Sequence, residues 1–176
     1  MSNGNLVFAD DNQSAMRPGA VSSFPMARAP VTKYPGYKPR EGRSFSVILE
    51  RAPNENNSTS FGLAAKSIST SGSNGVGPTM NSWGVICSYG SGNSNTKVVA
   101  SGQEVATWRM LREGDILRAE YYPNGILHIS LNMMECEHRF QLPSEVVASF
   151  GASSDPANDN YTFAMTFASN HRARIC

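Results

Sequence analysis

The stretch LREGDILRAEYYPNGILHISLN, residues 111–132, decides the fold, because its turn residues and its alternation together fix one β-hairpin register. A two-residue Asn124-Gly125 loop would set Tyr122 against Leu127 and Glu120 against Ile129, mixing the apolar face of one strand with the polar face of the other. A three-residue loop of Pro123, Asn124 and Gly125 instead sets Tyr121 against Leu127, Ala119 against Ile129 and Leu117 against Leu131. Since a one-residue slip moves every side chain to the other face, the register that keeps one face apolar is preferred. The turn chemistry agrees. Pro123 carries the preset φ of the first corner of a type I turn, Asn124 tolerates the second, and Gly125 suits the left-handed bulge position. On the opposite face Arg118 meets Ser130 and Glu120 meets His128, which predicts a solvated side.

Working outward, strand-like runs recur: residues 5–8, 45–50, 61–65, 83–89, 98–100, 116–122, 126–132 and 161–167. In Phe45, Val47 and Leu49, and in Tyr161, Phe163, Met165 and Phe167, apolar residues alternate with Ser, Thr, Ala or Glu, as a strand with one buried face requires. No helical period of comparable length competes. Many short strands separated by turn signals predict an all-β, two-sheet antiparallel sandwich. Residues 144–150 read equally as a single helical turn or an edge strand. The connections 52–60, 67–81 and 89–97 are rich in Asn, Ser and Gly and read as loops too polar to join a core. Residues 9–44, with prolines at 18, 25, 30, 35 and 39, are less regular, so strands there are expected to be short or on an edge. There is no internal repeat and no dividing linker, which predicts one domain over residues 1–176.

Composition bounds the function. At 176 residues the chain can bury roughly 70% of its unfolded surface without staples. Its three cysteines, Cys87, Cys136 and Cys176, match neither a disulfide framework nor a zinc site and read as free thiols of a reducing compartment. No basic start followed by an apolar run opens the chain, and no segment approaches the roughly 20 apolar residues of a membrane span. The expectation is a cytoplasmic protein, so the Asn-x-Ser/Thr patterns at Asn56, Asn57 and Asn160 carry no weight. A net charge of +1 gives no signature for nucleic acid.

Candidate chemistry is sparse. Cys136 and His138 fall on one strand face, but no Asn or Asp is placed to orient the histidine, so they read as surface residues. Asp10, Asp11, Glu113, Asp115, Asp155 and Asp159 sit where carboxylates cap local backbone, and their role reads as structural. GSNGVG at 72–77 is not followed by the Lys-Ser/Thr of a phosphate loop. His171, Arg172 and Arg174 form a small basic end that reads as a solvated strand face. Trp83 and Trp108 read as core anchors. Tyr89, followed at once by a Gly/Ser/Asn loop, is expected at a rim where it could contact a partner. No cofactor, metal ligand set or catalytic group is indicated.

Against these residues the chain resembles the neuralized homology repeat, an SPRY-like module. NLVFADDNQSAMRP resembles that family's opening strand with its Ala-x-Arg element at Ala15 to Arg17, followed by Phe24 and by Arg28 to Pro30. EGRSFSVILER with Phe45 and Val47, FGLAAK at 61–66, NSWGV, the Gly114-Asp115 turn, GILHISLN and YTFAMTFASNHRARI follow in the family's order. Two departures stand out: Met133 follows Asn132 where the family has Gly, and residues 166–169 replace its Asp-Leu-Tyr-Gly. The resemblance implies a concanavalin-like, SPRY-like sandwich that binds short segments of partner proteins, sometimes substrates of ubiquitin ligation, with acidic-lipid contact in some members and no catalysis. A RING-type Cys/His array is missing from these residues, so the chain is expected to recognise rather than to ligate. The expected groove lies among the loops after Leu49, Ala65 and Tyr89, with Arg51, Asn54, Asn57, Lys66, Asn74, Tyr89 and Asn93 as its contacts. The alternative is a lectin-like carbohydrate binder that stacks a sugar on an exposed Trp108 beside Arg109; a hydrolase ranks third, without a credible acid pair.

Overall fold

The computed structural model describes residues 7–8, 14–16, 26–28, 43–51, 57–68, 76, 80–89, 95–150, 160–167 and 171–176. The hairpin forms in the expected register. Strand β9 (Ile116–Tyr121) pairs with β10 (Ile126–Leu131) so that Tyr121 faces Leu127, Ala119 faces Ile129 and Leu117 faces Leu131. The loop closes through Gly125 N–H to Tyr122 O at 2.9 Å and Tyr122 N–H to Ile126 O at 2.8 Å. Gly125 has φ +82°, and a Cβ there would lie 2.7 Å from Val147 Cγ2, so glycine is required both by backbone and by packing.

Around this hairpin a seven-stranded antiparallel sheet runs in the order β1-β2-β13-β4-β9-β10-β11, adding β1 (Val7–Phe8), β2 (Ser14–Met16), β13 (Arg172–Ile175), β4 (Arg43–Arg51) and β11 (Cys136–Gln141). A six-stranded antiparallel sheet faces it in the order β3-β12-β5-β6-β7-β8, built from β3 (Met26–Arg28), β12 (Tyr161–Thr166), β5 (Asn57–Ala65), β6 (Ser82–Tyr89), β7 (Thr96–Ala100) and β8 (Gln103–Trp108). The core fills the space between the sheets. Phe45 of the first sheet stacks on Phe61 and Phe163 of the second at 5.9 and 6.0 Å, and Leu49, Leu63, Val85, Leu117, Leu127, Ile129 and Leu131 surround them, all fully buried. Residues 144–150 resolve as a helical turn, α1 (Ser144–Ser149), because Val146 and Phe150 then reach the core, where Phe150 sets its edge on Tyr121 at 4.7 Å.

Four expectations need correction. The outer face of the hairpin is not simply solvated: β11 pairs along the far side of β10, so His128 and Ser130 are buried, and the His128 ring lies 2.7 Å from Glu137 and 3.4 Å from Glu120. The polar connection 52–60 is shorter than expected, because β5 starts at Asn57 and carries Thr59 and Ser60 into the interior. Their hydroxyls are partnered there: Thr59 Oγ1 donates to Thr166 O at 2.5 Å, and Ser60 Oγ meets Thr166 Oγ1 at 2.6 Å and accepts from Val76 N–H at 3.0 Å. His171 is not part of a solvated face either; it is fully buried against Phe167, while Arg172 and Arg174 remain exposed. Nor is all of 67–81 excluded from packing. Val76 is fully buried on the outer side of the six-stranded sheet with Ala64 and Ala164, where facing glycines Gly62 and Gly84 leave room for it.

Candidate functional site: an arginine-lined groove at the end of β4

Where β4 meets β13 the pairing skips a residue. Ala173 faces Leu49, but Arg172 faces Arg51, so Glu50 is the extra residue of a β-bulge. Strict alternation would send Glu50 outward and Arg51 inward; a bulge re-aims side chains, and here both reach the outer surface. The connection before β9 then docks on the same strand through Leu49 N–H to Asp115 O at 2.9 Å and Gly114 N–H to Leu49 O at 2.7 Å, which brings Glu113 alongside. The result is an open groove of about 710 Å³ lined by Ile48, Glu50, Arg51, Glu113, Arg172 and Arg174.

Its electrostatics are uneven. Glu50 sits between two guanidinium groups, with Arg174 Nε 2.8 Å from Oε1 and Arg172 Nε 2.7 Å from Oε2. The first contact is a hydrogen bond; Oε2, though buried, lacks an aligned donor among the described residues. Arg51 is exposed and makes no ion pair or side-chain hydrogen bond among the described residues. Among the described lining residues, three arginines against two glutamates leave one positive charge in excess.

The expected contacts are only partly brought together. Arg51, the first residue of β5 (Asn57) and the last of β6 (Tyr89) share one end of the sandwich, and Asn57 and Tyr89 are cross-strand partners. Lys66 follows the other end of β5, eight steps from Asn57 or roughly 26 Å along a strand, with its N–H donating to Asn160 O. It therefore does not share a groove with Arg51. Asn54, Asn74 and Asn93 lie outside the described residues. Tyr89 is a correction: its ring is only 6% exposed, because an alternate position on β6 points it into the core beside Cys87, and burial together with that thiol pushes its phenol well above the usual range. It is core, not rim.

The carbohydrate platform is corrected in the same way. Trp108 is 8% exposed, packed in the core, so it offers no open ring face. Its neighbour Arg109 is committed to a network: Nη1 and Nη2 donate to Asp115 Oδ2 and Oδ1 at 2.7 and 2.8 Å, and Nε and Nη2 donate to Glu135 at 2.5 and 2.8 Å. Asn132 Nδ2 bridges Asp115 and Glu135 at 2.8 and 2.9 Å. Arg109 holds the Glu135 carboxyl down at about 2, and Asp115 is likewise lowered by hydrogen bonds from Arg109, the Arg112 backbone and Asn132, which outweigh the opposing effect of its burial. This network pins the turn after β10, in which Asn132, Met133 and Met134 all have positive φ. Arg51 and the pair Arg172 and Arg174, separated by more than 120 residues in sequence, could be found from sequence only as a strand end and a basic end at 171–174; nothing local announced that they meet. Among the described residues no group of His, Cys, Asp and Glu could hold a metal ion, and no helix is long and apolar enough to cross a membrane.

With this geometry in hand, solved structures place the architecture. The SPRY domain of human HERC1 superimposes with a TM-score of 0.57 at 10% identity, over 97% of this chain and 91% of that one. The PSpry domain of TRIM65 does so with a TM-score of 0.61 at 8% identity, over 99% and 85%. The carbohydrate recognition domain of Emp47p reaches 0.46 at 8% identity, over 99% and 84%, too distant to bear on a ligand. No protein-family model and no curated protein sequence matches the chain. The fold is an SPRY-like β-sandwich.

Proposed function

We propose that this SPRY-like sandwich, residues 1–176 acting as one domain, is a protein-interaction module that holds a short extended segment of a partner at the Arg51 end. The observation that carries the reading is the groove itself: on a fold of this kind, an exposed arginine without a partner among the described residues stands beside two arginines and an open trough. The connections bearing Asn54 and Asn93 leave strands at this same end, after β4 and after β6, so their amides are proposed to pair with the segment's backbone. Lys66 and Tyr89 are not part of the proposed surface.

The module is read as non-catalytic. Following the neuralized resemblance, a role in presenting substrates to a ubiquitin ligase is the proposed setting, inside the cell. The test is a display selection with a random 12-residue peptide library. Wild-type protein is expected to enrich binders that are lost on Arg51→Ala combined with Arg174→Ala at unchanged melting temperature. Failure to enrich any peptide, or equal retention by the double variant, would remove this function from the groove.

A further inference from the structure

The chemistry of the groove specifies what kind of segment it takes. We infer that it recognises an acidic peptide segment whose carboxylate displaces Glu50 from between Arg172 and Arg174, with Arg51 as a further cationic contact; this deepens the function proposed above and rests on it.

Glu50 occupies the position that a bound carboxylate would take. It is flanked at 2.7 and 2.8 Å by two guanidinium groups whose side chains remain 47% and 43% exposed, so a ligand can reach them without opening the fold. The internal pair is imperfect, since one Glu50 oxygen is out of water without an aligned donor among the described residues. A carboxylate from outside, approaching the open faces of the same arginines, can form the aligned or bidentate contacts that Glu50 does not complete. Arg51 supplies a guanidinium that pairs with nothing among the described residues, and the excess positive charge attracts an acidic chain before contact. Apolar surface continues from the same place: Ile48 lines the groove, and its cross-strand partner Ile116 is exposed. A segment in which acidic and aliphatic residues alternate matches both, since an extended strand places them on opposite sides.

The test uses three labelled 12-residue peptides of alternating sequence, Glu/Leu, Gln/Leu and Lys/Leu, followed by fluorescence anisotropy with the whole chain. The Glu/Leu peptide is expected to bind at least about tenfold tighter than the Gln/Leu peptide, and its affinity to fall with salt. Glu50→Gln is the discriminating variant: removing the internal carboxylate is expected to tighten Glu/Leu binding by about threefold or more, while Arg51→Ala and Arg174→Ala each weaken it by about fivefold. A merely structural Glu50 would give weaker or unchanged binding. Equal affinity for Glu/Leu and Gln/Leu, or unchanged or looser binding by Glu50→Gln, overturns the inference. Binding to vesicles rich in phosphatidylserine with none to the Glu/Leu peptide also overturns it, in favour of a membrane surface. Neutral library peptides that depend on Arg51 would sink this inference yet keep the proposed module; no peptide binding of any kind sinks both.

Discussion

Lowering the pH from 7.5 to 5.0 should destabilise this protein through one residue, His171. The ring is fully buried, and burial pushes its pKa from the usual 6.5 down to about 3. Its hydrogen bonding fixes the tautomer of the neutral ring: the Thr59 hydroxyl gives its only proton to Thr166 O, so the 3.1 Å contact requires Nδ1–H to donate to Thr59 Oγ1. Nε2 is then a bare acceptor, buried without a partner among the described residues. Protons therefore bind the unfolded chain and not the folded one between about 6.5 and 3, so stability is complete above 6.5 and falls as the pH drops through that window. At pH 5 the unfolded ring is about 97% protonated, which lowers the unfolding free energy by about 2 kcal/mol. The carboxyls of Asp115 and Glu135, held low by Arg109, contribute their losses only at more acid pH. Urea unfolding at pH 7.5 and 5.0 measures the difference. His171→Asn keeps a donor for Thr59 and removes the ionisable ring, so it should start less stable yet lose about 2 kcal/mol less over this interval. The same pH dependence in wild type and variant would refute the assignment to His171; His138, whose pKa burial lowers more modestly, is the control for the remainder.

Other perturbations have equally definite outcomes. Gly62→Ala and Gly84→Ala should each cost about 3 kcal/mol or more, or prevent folding, because the new methyl would lie 2.2 Å from Trp83 O or 2.3 Å from Phe61 O; Gly114→Ala meets nothing within 4 Å and should cost about 1 kcal/mol for its positive φ, as read from thermal melts. Asp115→Ala should cost about 3 kcal/mol in urea titration, since it strips a buried partner from Arg109 and unties the Arg112 backbone, whereas Glu135→Gln, on the exposed side of the same guanidinium, should leave the melting temperature close to wild type. Leu117→Ala, fully buried on the hairpin, should cost about 3 kcal/mol, and Tyr122→Ala, exposed beside it, close to nothing.

The parts of the fold that were legible in the sequence are those with two levels of agreement. The hairpin has both alternation and turn chemistry, and Phe45-Val47-Leu49 bury one clean face; Phe163 and Met165 are buried as expected, but Thr162, Ala164 and Thr166 between and beside them are buried too, so β12 is covered on both faces. The strands that went unread, β8 and β11, lie at the free edges of the two sheets. An edge strand needs little apolar patterning and is protected by charge, as in Glu104 and Lys97 paired at 2.7 Å or in Glu137 and Arg139 on β11, so the period-2 signal vanishes. β13 was disguised differently: of its residues only Ala173 is fully buried, and Arg172 and Arg174 look like a solvated tail.

The site was less legible for related reasons. Arg51 was expected as a contact and does line the groove, but its neighbours come from a bulge and from a strand paired across 120 residues, neither of which leaves a local mark. Tyr89 misled because a loop begins just past it, whereas Trp108 is the core anchor it was read as and only the alternative carbohydrate platform needed it exposed; on a strand, the parity of the position decides burial, and both rings fall on the inward side. The burial of His171 and of the Thr59, Ser60 and Thr166 hydroxyls leaves no local mark in the sequence, because the hydrogen bonds that partner the hydroxyls and the His171 Nδ1 join residues more than about 100 positions apart.

The claim that a partner segment lies along the arginine groove is tested most directly by amide chemical-shift mapping with a peptide enriched from the library. Shifts concentrated at residues 48–51, 113–114 and 172–174 are the expected result. Shifts clustered instead around Lys66 and Asn160, at the far end of β5, with the groove amides unmoved, would contradict it.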